Sequence, residues 1–118
     1  MTPGMTAAPI RGEVWLVDLD PTRGHEQAGR RPTLVISADL FNSGPAGLVV
    51  VLPITSRGRR VLWHVELLPP DGGVRVQSFI QCEAIRSISK ERFVQRWGSV
   101  SASVFAEVER RLRILLGL

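Results

Sequence analysis

Glu13-Val14-Trp15-Leu16-Val17-Asp18-Leu19 and Thr33-Leu34-Val35-Ile36-Ser37 bracket the stretch Leu19-Asp20-Pro21-Thr22-Arg23-Gly24-His25-Glu26-Gln27-Ala28-Gly29-Arg30-Arg31-Pro32. The two flanks are rich in β-branched, aromatic and aliphatic residues, and each reads as a strand. Between them lies a long loop of turn-forming Gly and Pro that carries one His, one Glu, one Gln and three Arg. A loop of that length between strands is functional or flexible. Here it sets acid–base and anion-binding groups on a segment with rigid ends. Pro32 can stand only at the start of the second strand, where no ladder donor is needed. The remainder of the chain reads as a small scaffold that presents this loop.

The rest of the sequence supports a mainly β domain. Leu48-Val49-Val50-Val51-Leu52-Pro53-Ile54 is the most hydrophobic run and predicts a buried strand that ends at Thr55-Ser56. Val61 to Leu67 predicts a strand with Trp63, Val65 and Leu67 on one face and His64 and Glu66 on the other. Pro69-Pro70-Asp71-Gly72-Gly73 is a turn. Val74-Arg75-Val76, Ser78 to Cys82 and Ala84 to Ile88 predict short strands. Ser89 to Arg92 predicts one helical turn capped by Ser89, and Phe93 to Val100 a last strand weakened by Gly98. Ser101 then caps the one long helix. Its apolar stripe is Val104, Phe105, Val108, Leu112, Leu115 and Leu116, and Gly117 stops it. Acids early and bases late match the helix dipole. About seven short strands and a closing helix imply a curved antiparallel barrel with a helix against it.

The chain has 118 residues, enough for one domain and one core. Residues 1–9 read as a loose tail and 10–118 as a single domain. Fourteen Arg and one Lys leave a formal net charge of +4, which suits an anionic partner. One cysteine, Cys82, allows no disulfide within the chain and fits a reducing cytoplasm. It reads as a small core residue. One Cys and two scattered His argue against a zinc site. No apolar run approaches the roughly 20 residues that span a bilayer, so no membrane is implied.

Metal-free RNA cleavage is the chemistry this residue set suits. The ribose 2′-OH attacks the neighbouring phosphorus and the 5′ oxygen leaves. The site must accept a proton, donate one and stabilise charge on the phosphoryl oxygens. Glu26 suits the base, Arg31 the phosphate clamp, and Thr55 a hydroxyl donor at a strand end. Plain structural readings stand beside these. Glu26 and Arg31 could form a solvated ion pair, and Thr55 could cap a turn. His25 could be an exposed loop residue, and His64 a half-buried surface one. A two-histidine site of His25 and His64 is conceivable, but no spacing brings them together. Arg57, Arg59 and Arg60 fit either a phosphate-contacting patch or a solvated run. Trp15, Trp63 and Trp97 read as core.

Taken in order, the blocks Arg11-Gly12-Glu13-Val14-Trp15, Asp18-Leu19-Asp20-Pro21, Gly24-His25-Glu26-Gln27 and Arg31-Pro32-Thr33-Leu34-Val35-Ile36-Ser37 resemble the MazF/PemK family of toxin endoribonucleases. Pro53-Ile54-Thr55-Ser56 and Cys82-Glu83-Ala84-Ile85-Arg86-Ser87-Ile88 agree with that resemblance, which runs from Arg11 to about Leu118. It implies a small SH3-like, PemK-type antiparallel barrel with a C-terminal helix, acting as a homodimer. It implies sequence-specific cleavage of single-stranded RNA without metal or other cofactor, leaving a 2′,3′-cyclic phosphate and a 5′-OH. Arg31, Thr55 and Glu26 take the catalytic positions. RNA contacts fall on His25, Gln27, Arg30, Arg57 and Ser78. An antitoxin with an acidic, disordered tail is the implied partner. The chain departs from the family at His25, commonly Ser, at Ala84, commonly Gln, and at Gln77-Ser78, commonly Asp-Ser. Two other functions remain open: inhibition of DNA gyrase by binding on the same fold, and a non-catalytic nucleic-acid-binding barrel.

Overall fold

A computed structural model describes residues 7–19 and 29–118. Seven strands and two helices follow in order: β1 Glu13–Asp18, β2 Arg30–Val35, α1 Asp39–Asn42, β3 Leu48–Thr55, β4 His64–Leu67, β5 Ser78–Gln81, β6 Arg86–Ser89, β7 Phe93–Ser99 and α2 Ala102–Leu116. All strand pairs are antiparallel, in the order β4-β5-β3-β2-β1-β7, with β6 also on β3. β5 and β6 share the β3 edge away from β2, separated by a 3₁₀ turn at Cys82–Ala84. The outermost strands β4 and β7 are not paired with each other. The sheet therefore curls as expected but stays open.

Strand alternation splits the apolar residues between two clusters. Val14, Leu34, Leu52, Ile54, Val65, Leu67, Ile80 and Cys82 form the larger one, covered by α2 through Val104, Phe105, Val108 and Leu112. Val17, Val35, Val49, Val51 and Ile88 form the second, flanked by Trp15, Leu19 and Phe93. Trp15 meets Phe93 edge-on, with ring centroids 5.8 Å apart. Burial pushes the Cys82 thiol up to about 11, which fits an inert core position. Ser101 caps α2, its Oγ accepting from the Val104 N–H at 3.3 Å, and Gly117 ends it at φ 73°. The predicted acids lie one turn later than the dipole reading asked, for no acid occupies the first turn.

Several boundaries differ from the sequence reading. The fourth strand starts at His64, because 61–63 form a turn. Val74-Arg75-Val76 is not a strand, since none of the three has a ladder partner. Within the loop Ala38–Gly47, Asp39–Asn42 make one helical turn. The turn after Ser89 is 3₁₀, and the Ser89 hydroxyl donates to the Glu91 carboxylate at 3.3 Å rather than capping backbone. Of the expected tail, residues 7–9 are described, and Pro9 is packed: its carbonyl accepts from buried Asn42 at 3.0 Å.

Candidate active site

The site begins where the sheet forks. β2 and β3 pair at Val35–Val51, Leu34–Leu52 and Thr33–Pro53, and there the ladder stops. β1 stays with β2 out to Arg30, and β5 stays with β3 out to Thr55. Pro32 accounts for the stop. The next step in register sets Pro32 against Ile54, and proline has no N–H to donate. One more step sets Arg31 against Thr55 across the open fork. Alternation places Arg31 on the face of Val35, and Thr55 on the face of Val49 and Val51. Those three valines share one cluster, so both side chains leave the sheet on the same side. Arg31 is exposed and Thr55 half-buried.

A braced turn holds Thr55. Its Oγ1 accepts from the Arg57 N–H at 3.0 Å, so the turn-capping reading is right. That bond uses an oxygen lone pair and leaves the hydroxyl proton to donate. Gly58 then lies flat on Phe79: a Cβ there would stand 2.3 Å from the Phe79 Cβ. The Arg59 N–H donates to His64 Nδ1 at 3.1 Å, which puts the proton of a neutral ring on Nε2, 3.1 Å from a Glu83 carboxylate oxygen. From α2, Arg111 donates to the carbonyls of Leu62 at 2.8 Å and His64 at 3.0 Å. Glu107 orients that guanidinium at 2.6 Å; Arg110 and Arg111 together pull the Glu107 carboxyl down to about 2. His64 is half-buried, as the sequence reading has it, and it also braces the scaffold. His64→Ala is expected to cost about 1–3 kcal/mol by stranding the Arg59 N–H and removing the ring from Phe79. Urea unfolding measures it, and unchanged stability would contradict this role.

Behind the fork, on the opposite face, lies an open groove of about 590 Å³. Leu16, Pro32, Ile54 and Val74 give it an apolar floor. Ser56, Arg75, Ser78, Gln95, Arg96 and Trp97 line its sides. Gly73 brings the 73–76 wall hard against β7, since a Cβ at this position would stand 2.4 Å from the Trp97 carbonyl oxygen. Glu13 fixes Arg96 by accepting from its Nε at 2.7 Å. Burial raises the Glu13 pKa, but donors from Trp15, the Ile10 N–H and Arg96 outweigh it and hold the carboxyl below its usual value.

The long loop is anchored at both feet. The Leu19 N–H donates to the Gly29 carbonyl at 3.2 Å. Arg92 donates from one nitrogen to the carbonyls of Asp18 at 3.2 Å and Leu19 at 2.9 Å.

Continuing the β2–β3 register past its last pair sets Arg31 opposite Thr55, with Arg30 beside Arg31 and Arg57 two residues beyond Thr55. Ser78 is buried in the groove wall, its hydroxyl donating to the Val76 carbonyl at 2.9 Å. Glu26, His25 and Gln27 lie outside the described residues. In the basic run, Arg60 is committed to Glu66 at 2.9 and 3.1 Å. The Arg57 and Arg59 side chains have no hydrogen-bond partner among the described residues. Sequence reasoning did not single out Pro32, Ser56, Gly73 or Arg92 as parts of the site. Pro32 carried the available signal, a missing donor at a strand start.

The family described as PemK-like, MazF-like toxin of type II toxin–antitoxin systems matches residues 10–116. Endoribonuclease MazF9 of Mycobacterium tuberculosis is 39% identical over 113 residues, covering 92% of this chain and 96% of that protein. Endoribonuclease PemK of Escherichia coli is 40% identical over 108 residues, covering 90% and 80%. A MazE–MazF structure from Deinococcus radiodurans superposes with a TM-score of 0.80 at 34% identity, covering 94% of this chain and 97% of that one. With two endoribonucleases among its relatives and the fold of a solved MazF, this chain belongs to the PemK-like, MazF-like toxins of type II toxin–antitoxin systems.

Proposed function

We propose that the protein is a sequence-specific endoribonuclease that cuts single-stranded RNA without a metal ion. The observation that carries this reading is that the β2–β3 ladder stops at Thr33–Pro53 and leaves Arg31 and Thr55 at facing register positions, on one side of the sheet and beside the foot of the long loop. The 2′-OH oxygen attacks the adjacent phosphorus, and its proton passes to Glu26. The P–O5′ bond breaks, the 5′ oxygen takes up a proton from water, and the products carry a 2′,3′-cyclic phosphate and a 5′-OH. In the transition state the phosphoryl oxygens gain negative charge. The Arg31 guanidinium meets two of them in a planar fork, and the Thr55 hydroxyl donates to one. Arg30, Arg57, His25 and Gln27 hold the strand in place, while Ser78, whose hydroxyl is committed to the Val76 carbonyl, shapes the wall beside it.

In this reading the protein works in the cytoplasm as a homodimer. An antitoxin with an acidic, disordered tail silences it by folding into the same basic surface. The charge balance supports both ligands: a pI near 10.9, with Arg30, Arg31 and Arg57 exposed around the fork. No described helix is long and apolar enough to cross a membrane.

The test is cleavage of a long single-stranded RNA by purified protein in EDTA, with both product ends mapped. Discrete cuts bearing 5′-OH and 2′,3′-cyclic phosphate ends are expected. Uncut RNA with a folded, antitoxin-free protein would refute the reading. Thr55→Val should slow cleavage about 10- to 100-fold, the worth of one hydrogen bond from a hydroxyl to a charged oxygen, while Thr55→Ser stays near wild type. Single-turnover rates separate the two, and equal slowing in both would remove the hydroxyl from the mechanism.

A further inference from the structure

We infer that the groove behind the fork is a base pocket, in which Gln95 and Arg75 read the edge of one unpaired nucleobase beside the scissile phosphate. This rests on the ribonuclease reading above and adds the residues that choose the cut site.

Position is the first argument. The groove floor includes Pro32 and Ile54, and its side includes Ser56. Pro32 adjoins Arg31 in sequence, while Ile54 and Ser56 flank Thr55, so the groove opens one residue, about 3.8 Å of chain, from each proposed catalytic position. The β2–β3 ladder ends at Thr33–Pro53, just short of the Pro32 and Ile54 that the groove and the proposed catalytic positions share as neighbours.

Shape and chemistry are the second. An apolar floor suits the face of a base and does not suit a phosphate. The polar side chains around it divide into spent and unspent. Arg96 is held by Glu13 at 2.7 Å and Ser99 at 3.1 Å, and the Ser78 hydroxyl is given to Val76. Gln95 and Arg75 make no side-chain hydrogen bond among the described residues, and both are exposed on the groove. Gln95 stands across the β1–β7 ladder from Leu16, which sets its amide above the floor. An amide offers a donor and an acceptor together, and a guanidinium offers paired donors. That combination distinguishes base edges, as Arg and Gln do elsewhere in nucleic-acid recognition.

The experiment maps every cut made by wild type, Gln95→Ala and Arg75→Ala in one pool of long single-stranded RNA, with the rate at each site. Thermal unfolding shows that each variant is folded. At one nucleotide position next to the cut, the rate ratio between the preferred base and the others should fall about 10- to 100-fold in the variants. Preferences at the other positions should stay as in wild type. Gln95→Glu keeps the size but removes the donor, so it should shift that one position toward a base presenting a donor. Variants that keep every wild-type preference, or that slow all sites equally, would overturn the base pocket. Wild type that cuts no RNA would instead refute the ribonuclease reading on which the pocket depends.

Discussion

Arg31→Ala is expected to lower the cleavage rate about 10²- to 10³-fold or more and to leave the fold intact. The two halves follow from different observations. Arg31 is exposed and stands at the open end of β2, where the ladder to β3 has already stopped. Its side chain has no hydrogen-bond partner among the described residues, so removing it strands no buried group among them. The melting temperature should therefore stay within about 2 °C, the range of ordinary surface changes. In the proposed reaction the same side chain is the charged donor that the strand register sets opposite Thr55 across the fork. The phosphoryl oxygens gain charge in the transition state, and a preorganised cation there acts on the barrier rather than on binding. The loss should thus fall on kcat, with KM changed little. Arg31→Lys keeps the charge and loses the planar two-point contact, so its rate should lie between the two. Single-turnover kinetics with a short RNA containing one cut site reads all three. An Arg31→Ala rate within about threefold of wild type would exclude Arg31 from the chemistry.

The strands that hold this site were legible because their signals are local. Val14 to Leu19, Thr33 to Ser37 and Leu48 to Ile54 carry enough β-branched and aliphatic residues to specify strands wherever they lie. The cap Ser101 and stop Gly117 marked α2 just as directly. Val74-Arg75-Val76 carries the same local signal and is no strand, since the close contact of Gly73 with Trp97 fixes where that segment runs. Val61 and Leu62 fail for a similar reason: His64 and Arg111 draw the chain into a turn ahead of β4. In the site, residue types were readable and their meeting was not. Pro32 showed that a donor was missing. That the gap opens against Ile54, and so sets Arg31 opposite Thr55, depends on register between strands about twenty residues apart. The groove is further out of reach, since its lining is drawn from five separate parts of the chain.

Gly73→Ala should be among the most damaging single methyl additions to this protein, at about 4 kcal/mol. Two costs combine. The residue sits at φ 83°, where an L side chain is strained by about 1–2 kcal/mol. The new Cβ would also stand 2.4 Å from the Trp97 carbonyl oxygen and 2.8 Å from its carbon, both backbone atoms that cannot swing aside. Relieving that contact means prising the 73–76 segment off β7, an overpacking cost of about 1–3 kcal/mol. Gly98, which in the sequence looks only like a weak point of β7, belongs to the same contact: a Cβ there would lie 3.1 Å from the Gly72 carbonyl carbon. Gly47→Ala is the matched control. Its φ is 71°, but nothing stands within 4 Å of the added carbon, so it should cost only the backbone strain. Denaturant unfolding of the two variants separates strain from contact, and a melting temperature lower by about 15 °C is expected for Gly73→Ala. A Gly73→Ala variant no less stable than Gly47→Ala would mean that the groove wall is not pinned to β7. The shape of the groove would then depend on something other than this backbone contact.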